Sequence, residues 1–171
     1  MQGQFALRMF KGNTQEIDRQ ISESLRGQTF KEVTNKPGKH ERYEIGTVAK
    51  VVANGKNFYF VAMSHMNEYG TAQSSLEYVD KALEHLWKYM SERGELGDLV
   101  VPLMGTGRGR IEMPRKKMIE RIAQSFANAS RDKIFSNKLI IVVHPADVEK
   151  FGINLFEVRD YLSQSLHVLG F

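Results

Sequence analysis

Gly105, Thr106, Gly107, Arg108, Gly109 and Arg110 follow directly on the apolar run Leu99-Val100-Val101-Pro102-Leu103-Met104, and Pro114 opens an amphipathic stretch soon after. Residues of these types in this order suit an anion. Glycine has no Cβ, so backbone N–H groups can come close to a phosphate; Arg108 and Arg110 add positive charge. Apolar strand, glycine turn, helix is also the order in which open α/β sheets present ligand loops, at the carboxyl ends of strands. The pattern is not a Walker loop, which requires Gly-Lys-Ser/Thr. Nor is it the dinucleotide fingerprint, because Gly105, Gly107 and Gly109 read G-x-G-x-G. A strand-to-helix turn that binds nothing is the competing reading, and the loop by itself weights the two evenly.

Other chemistries find less support. The chain has no cysteine, which excludes disulfides, thiol catalysis and thiolate metal sites within it. His40, His65, His85, His144 and His167 show neither H-x-x-x-H nor H-E-x-x-H spacing, so no metal site is expected. Nothing in the sequence brings Glu68 and Glu112 together as a carboxylate pair, and no catalytic residue is assigned. His144 sits at the end of an apolar run, where closing the strand with a hydrogen bond is its default role. A net charge of +4 comes from scattered residues, with small clusters at 36–42 and 108–117. No basic stripe alternates with aromatics, so nucleic acid is not an expected partner. The longest apolar run, 139–143, is far too short to span a bilayer. A length of 171 residues suits one domain with a real core.

The elements that must position the glycine loop are legible from periodicity and caps. Residues 2–10 carry few signals beyond the alternation of Phe5, Leu7 and Met9, which suits a strand or one side of a turn. Asn13, with Glu16 three residues on, caps a short helix with Ile17, Ile21 and Leu25 on one face, ended by Gly27. Residues 30–42 read as a polar loop around Pro37-Gly38. Two strands, 43–53 and 57–63, flank Asn54-Gly55, the strongest short hairpin signal. Residues 64–72 read as a loop. Ser74-Ser75-Leu76-Glu77 caps a helix with Leu76, Val79, Leu83, Leu86 and Met90 on one face and Trp87 at its border; Arg93-Gly94 closes it. After the strand 99–103 and the glycine loop, Pro114 is the expected first residue of a helix burying Met118, Ile119, Ile122, Ala123 and Phe126, with Arg115, Lys116, Glu120 and Arg121 facing out. A polar stretch, 128–136, precedes the strand 139–143, apolar throughout as central parallel strands are. Asn154 caps the last helix. The closing β-α-β-α order calls for parallel pairing and the hairpin adds an antiparallel pair, giving a mixed sheet flanked by helices.

This order, with Gly-Thr-Gly after a Val-Val-Pro-Leu strand and Gly46-Thr47-Val48 before an Asn-Gly hairpin, resembles the macro-domain family. Within it the chain is most similar to the macro domains of Thoeris anti-phage effectors of the ThsA type. The residues carrying that likeness are Gly3-Gln4-Phe5, Asp18, Ser24-Leu25, Tyr69-Gly70-Thr71-Ala72, Pro102-Leu103-Met104-Gly105-Thr106-Gly107, Lys138 to Val143 and Ile153-Asn154-Leu155. The resemblance implies a three-layer α/β/α macro-type fold over residues 1–171, with the family's opening strands falling before Gly3. It implies a pocket for ADP-ribose or another NAD-derived nucleotide and no cofactor beyond that ligand. The phosphate loop carries onto Gly105, Thr106, Gly107, Arg108 and Gly109, and the adenine side onto His144, Pro145, Asp147 and Phe151. It further implies a cytoplasmic sensor module, a TIR-domain partner that makes the signal, and full-length members anchored to the inner membrane by an upstream segment; homo-oligomerisation is left open. Two features depart from the family: Gly109 and Arg110 stand where an aromatic packs on the distal ribose, and the Asn and Gly-Gly set of de-ADP-ribosylating macro enzymes has no counterpart. Hydrolysis of ADP-ribosylated protein or an ADP-ribose derivative is thus the second reading, and an oligomerisation domain with an empty loop the third.

Overall fold

A computed structural model describes residues 2–34, 40–105 and 111–168. Its elements run α1 (Gln2–Met9), α2 (Thr14–Ser24), β1 (Phe30–Glu32), β2 (Glu41–Tyr43), β3 (Val48–Ala53), β4 (Lys56–Val61), β5 (His65–Met66), β6 (Ala72–Gln73), α3 (Leu76–Arg93), β7 (Asp98–Pro102), α4 (Arg115–Ser130), β8 (Lys138–Val142), α5 (Pro145–Phe151) and α6 (Leu155–Val168). Among the described residues the strands form four ladders of two: β1–β2, β3–β4 and β5–β6 antiparallel, β7–β8 parallel. This is an α/β macro-type fold, and its strands pair two by two.

The core forms where α3 and α4 lie over β7–β8. Val79, Leu83, Leu86, Trp87 and Met90 of α3 meet Met118 and Ile122 of α4, with Val101 and Phe135. Trp87 is central to the core rather than at its border, with 2% of its surface exposed. It stacks on Phe135, takes Phe126 edge-on and donates its indole N–H to Ser125 Oγ at 2.9 Å, so its one polar atom is satisfied inside the core. A second cluster joins Ile119 of α4 to Ile153 and Val158, locking α6 onto the outer side of α4.

The parallel pair is covered on one face only among the described residues. Leu99, Val101, Leu139 and Ile141 turn towards the helices; Val100, Ile140 and Val142 alternate to the other side and are exposed. The uniform apolarity of 139–143 therefore marks a strand whose second face lacks a described covering layer.

Asn54 and Gly55 both take positive φ, 50° and 69°, the geometry that a two-residue hairpin needs. The outer edge of β3 is closed by side chains instead of a strand. Ser24 Oγ accepts from Lys50 N–H at 2.8 Å, and Gln20 accepts from Val52 N–H at 2.8 Å while its amide donates to Val52 C=O at 3.3 Å. Placed one turn apart on α2, these two residues satisfy an edge that would otherwise be open to pairing with another chain. Asn13 caps α2 as expected, accepting from Glu16 N–H.

Several elements differ from expectation. Residues 2–9 form a helix, because Phe5 packs edge-on against Phe58 and Phe60 of β4 and Ala6 is buried; tertiary packing supplies what local signals lack. The expected loop 30–42 includes the β1–β2 ladder, and the core of that loop, 35–39, lies outside the described residues. The loop 64–72 contains the start of the short β5–β6 ladder, tied by Asn67, whose side-chain oxygen accepts from the N–H groups of Tyr69 and Thr71. Pro114 is the residue before α4 rather than its first, and α4 runs on to Ser130. No helix of the described residues is long and apolar enough to cross a membrane.

Two outcomes test the edge closure. Gln20→Ala removes both bonds to Val52 and is expected to lower unfolding free energy by about 1–2 kcal/mol, read by urea denaturation. Acid also reaches this helix: hydrogen bonds from Arg19 and then Gln20 hold the Glu16 carboxyl down at about 2 against an ordinary 4.5. Because that pKa is depressed on folding, the contribution of Glu16 is fully present above pH 4.5 and is lost as pH falls through about 2. In Glu16→Gln the part of the acid-induced loss of stability in that window is expected to shrink.

Candidate functional site

Because β7 and β8 run parallel, both end at one rim. The ladder carries on past β7, with Leu103 N–H donating to Val142 C=O at 3.1 Å. Gly105 then turns at φ +75°. That conformation favours glycine, and a Cβ there would also press on Ile111 Cδ1 at 2.7 Å and Val79 Cγ2 at 3.2 Å, side chains that would have to give way. Ile111 N–H donates back to Gly105 C=O at 3.2 Å and closes the neck of the loop. Thr106, Gly107, Arg108, Gly109 and Arg110 lie outside the described residues.

On the β8 side, His144 follows the strand and caps α5. Its Nδ1 accepts from Ala146 N–H at 3.1 Å, which in the neutral ring leaves the proton on Nε2. Its carbonyl accepts from Asp147 and Val148, and Pro145 occupies the first turn of α5, where a missing N–H costs nothing. His144 thus has the strand-closing, capping role. The sequence had not signalled α5 itself: at seven residues it is too short for periodicity to register, and only Pro145 and Gly152, left-handed at φ 58°, mark its ends.

Asp147 and Phe151 come together through a residue expected to face solvent. The Arg115 side chain is only 17% exposed; its Nε lies 3.8 Å from Asp147 Oδ1 and its guanidinium carbon 3.5 Å from the centre of the Phe151 ring. The physical signal was present. A cation at the first residue of a helix opposes the helix dipole, and α4 has no acidic residue in its first turn. Arg115 therefore takes its compensation from α5, from a carboxylate and an aromatic face. This clamp fixes α5 beside the start of α4 and leaves Phe151 42% exposed. Lys116 pairs with Glu157 of α6 at 3.0 Å, which holds the Glu157 carboxyl below its ordinary range.

Past the ends of the two strands the chain thus carries a left-handed glycine, Gly105, after β7, and after β8 a helix cap, His144-Pro145, with Asp147 and the exposed Phe151 held by Arg115. No group of three or more His, Asp or Glu side chains among the described residues is placed to hold a metal. His65, the other histidine considered for a pocket edge, packs edge-on against Tyr78.

A glycine turn at a strand end on an α/β scaffold is the arrangement that the macro-domain resemblance implies. The family model described as "Thoeris protein ThsA, Macro domain" matches residues 1–144, and the chain belongs to that family. It is a macro-domain ligand-binding module of the Thoeris antiviral system. The match ends at His144, so Pro145, Asp147 and Phe151 lie beyond it. No curated protein matches the chain.

Gly105→Ala is expected to cost about 1–3 kcal/mol in thermal or urea unfolding, from the left-handed backbone alone. Gly152→Ala, also at positive φ but with nothing within 4 Å of its would-be Cβ, is expected to cost less.

Proposed function

We propose that the rim at the ends of β7 and β8 binds an ADP-ribose-type nucleotide and that the module senses an NAD-derived signal. In this reading the diphosphate lies along Gly105, Thr106, Gly107, Arg108 and Gly109, where glycine N–H groups and the arginine meet its charge. The base lies against His144, Pro145, Asp147 and Phe151. The observation that supports the reading is the parallel register of β7 with β8, after which the left-handed Gly105 turn follows one strand and the His144-capped helix carrying the exposed Phe151 follows the other. Membership of the ThsA macro family supports the same ligand class.

The Arg115 clamp adds specificity to this picture. Its guanidinium occupies one part of the Phe151 π surface and neutralises Asp147, so α5 is fixed before a ligand arrives and less ordering is needed on binding. The signal comes from a TIR-domain partner, and occupancy is passed to an effector portion of the whole protein. Binding without turnover is the preferred role, because the Asn and Gly-Gly set of de-ADP-ribosylating macro enzymes has no counterpart in the sequence.

Calorimetric titration of the chain with ADP-ribose, NAD and NAD-derived cyclic or base-exchanged nucleotides tests this. At least one is expected to bind, and at a hundredfold excess over its Kd to raise apparent stability by about 2.7 kcal/mol. Gly107→Glu, which places a carboxylate in the phosphate position, is expected to abolish the heat while the variant melts like the parent. Absence of heat and of stabilisation with every nucleotide would overturn the proposal and favour an empty structural domain.

A further inference from the structure

A cleft of about 960 Å³ runs between α3 and α4, bounded by Tyr161 of α6, and none of its lining residues belongs to the nucleotide site proposed above. Glu120 lines it and is only 4% exposed, although its place on α4 reads as outward-facing in the sequence. Its Oε2 accepts from Lys117 Nζ at 2.8 Å; its Oε1 is buried and has no hydrogen-bond partner. A carboxylate oxygen shut off from both water and donors is costly and rare.

The other charges of the cleft do not meet that need. Of the four cations in its lining, Arg121 is engaged by Asp80, Lys117 by Glu120, and Lys133 by the Ser91 carbonyl. That leaves Lys88 against Glu84, Glu112 and Asp132, which form no ion pair among the described residues. Among these polar side chains, Met113, Pro114, Ala129 and Tyr161 supply the apolar or flat surface of the cleft. Trp87 has its N–H committed to Ser125, and the Tyr161 hydroxyl accepts from Gln124 Nε2 at 2.8 Å.

We infer that this cleft is a guanidinium site, in which an arginine-type group displaces Lys117 from Glu120 Oε2 and, as the carboxylate turns toward the cleft, supplies the donor that Oε1 lacks. An ammonium is a point charge and satisfies one oxygen, as Lys117 does. A planar guanidinium offers two parallel N–H groups that match a carboxylate and a flat face that lies on aromatic or apolar walls. Lys117 is 61% exposed, so its arm can swing into solvent as the guanidinium takes over the charge of the buried Glu120. The guanidinium comes either from a small free molecule or from an arginine-bearing segment of a partner, and the chemistry recognised is the same.

The test titrates the full chain, by calorimetry and by amide shifts, with N-methylguanidine and with the blocked peptide acetyl-Gly-Arg-Gly-amide. Methylammonium and the citrulline peptide are the matched controls. Both guanidinium probes are expected to bind saturably and more tightly than their controls. Similar affinity for the two probes identifies a small free guanidine as the source, and a clear preference for the peptide identifies a partner's arginine. Glu120→Gln is expected to weaken binding about tenfold, while Lys117→Ala, an exposed position, tightens it about threefold. Neither variant is expected to change nucleotide affinity at the rim, so the two sites fail or stand separately. Equal response to arginine and citrulline probes overturns the inference. So does undiminished binding in a Glu120→Gln variant that melts like the parent, or, if that variant does not fold, unchanged or lost binding in Lys117→Ala.

Discussion

Parallel pairing of β7 with β8 is the constraint on which the rest depends. Two parallel strands joined through α4 must end at the same rim, so whatever follows each strand is brought side by side without any contact between the two loops being required. A glycine turn follows one and a histidine-capped short helix the other. The packing of α3 and α4 over one face of the pair, centred on Trp87, keeps that rim in place. Elsewhere α1 packs on β4, and α2 closes the edge of β3.

Much of this was legible because it depends on short-range chemistry. Asn54-Gly55, Asn13, Ser75 and Asn154 each solve a local backbone problem, and each stands at the turn or cap its type implies. Gly105 was legible for the same reason: a strand running into a helix needs a residue free to take positive φ. The family likeness came from an ordered set of such positions. The short ladders β1–β2 and β5–β6 and the helix α1 were not legible, since their stability comes from partners distant in sequence. Phe5, for example, is placed by Phe58 and Phe60 and by nothing within its own segment.

The charged residues of α4 carry the larger lesson. Arg115 and Glu120 fall on positions that helical periodicity assigns to solvent, yet both are largely buried. Periodicity describes one helix packed on one face. Here α4 is covered by β7–β8 and α3 on one side and by α5 and α6 on another, so its outward stripe is narrower than a surface helix's. A buried charge must find compensation. Arg115 finds it in Asp147 and Phe151 at the rim; Glu120 finds half of it in Lys117. The same crowding that builds the α5 clamp thus leaves an unmatched oxygen in the cleft beyond.

The central claim is that ligand meets protein at the paired strand ends. Backbone amide shifts recorded by NMR during addition of ADP-ribose, or of whichever NAD-derived nucleotide binds, test it most directly. The account predicts saturating shifts concentrated at Gly105, Gly107, Ile111, Ala146 and Phe151, with Trp87 and Gln124 unmoved. Shifts centred on α3 and the middle of α4, or saturable binding that leaves the Gly105 amide unchanged, would contradict it.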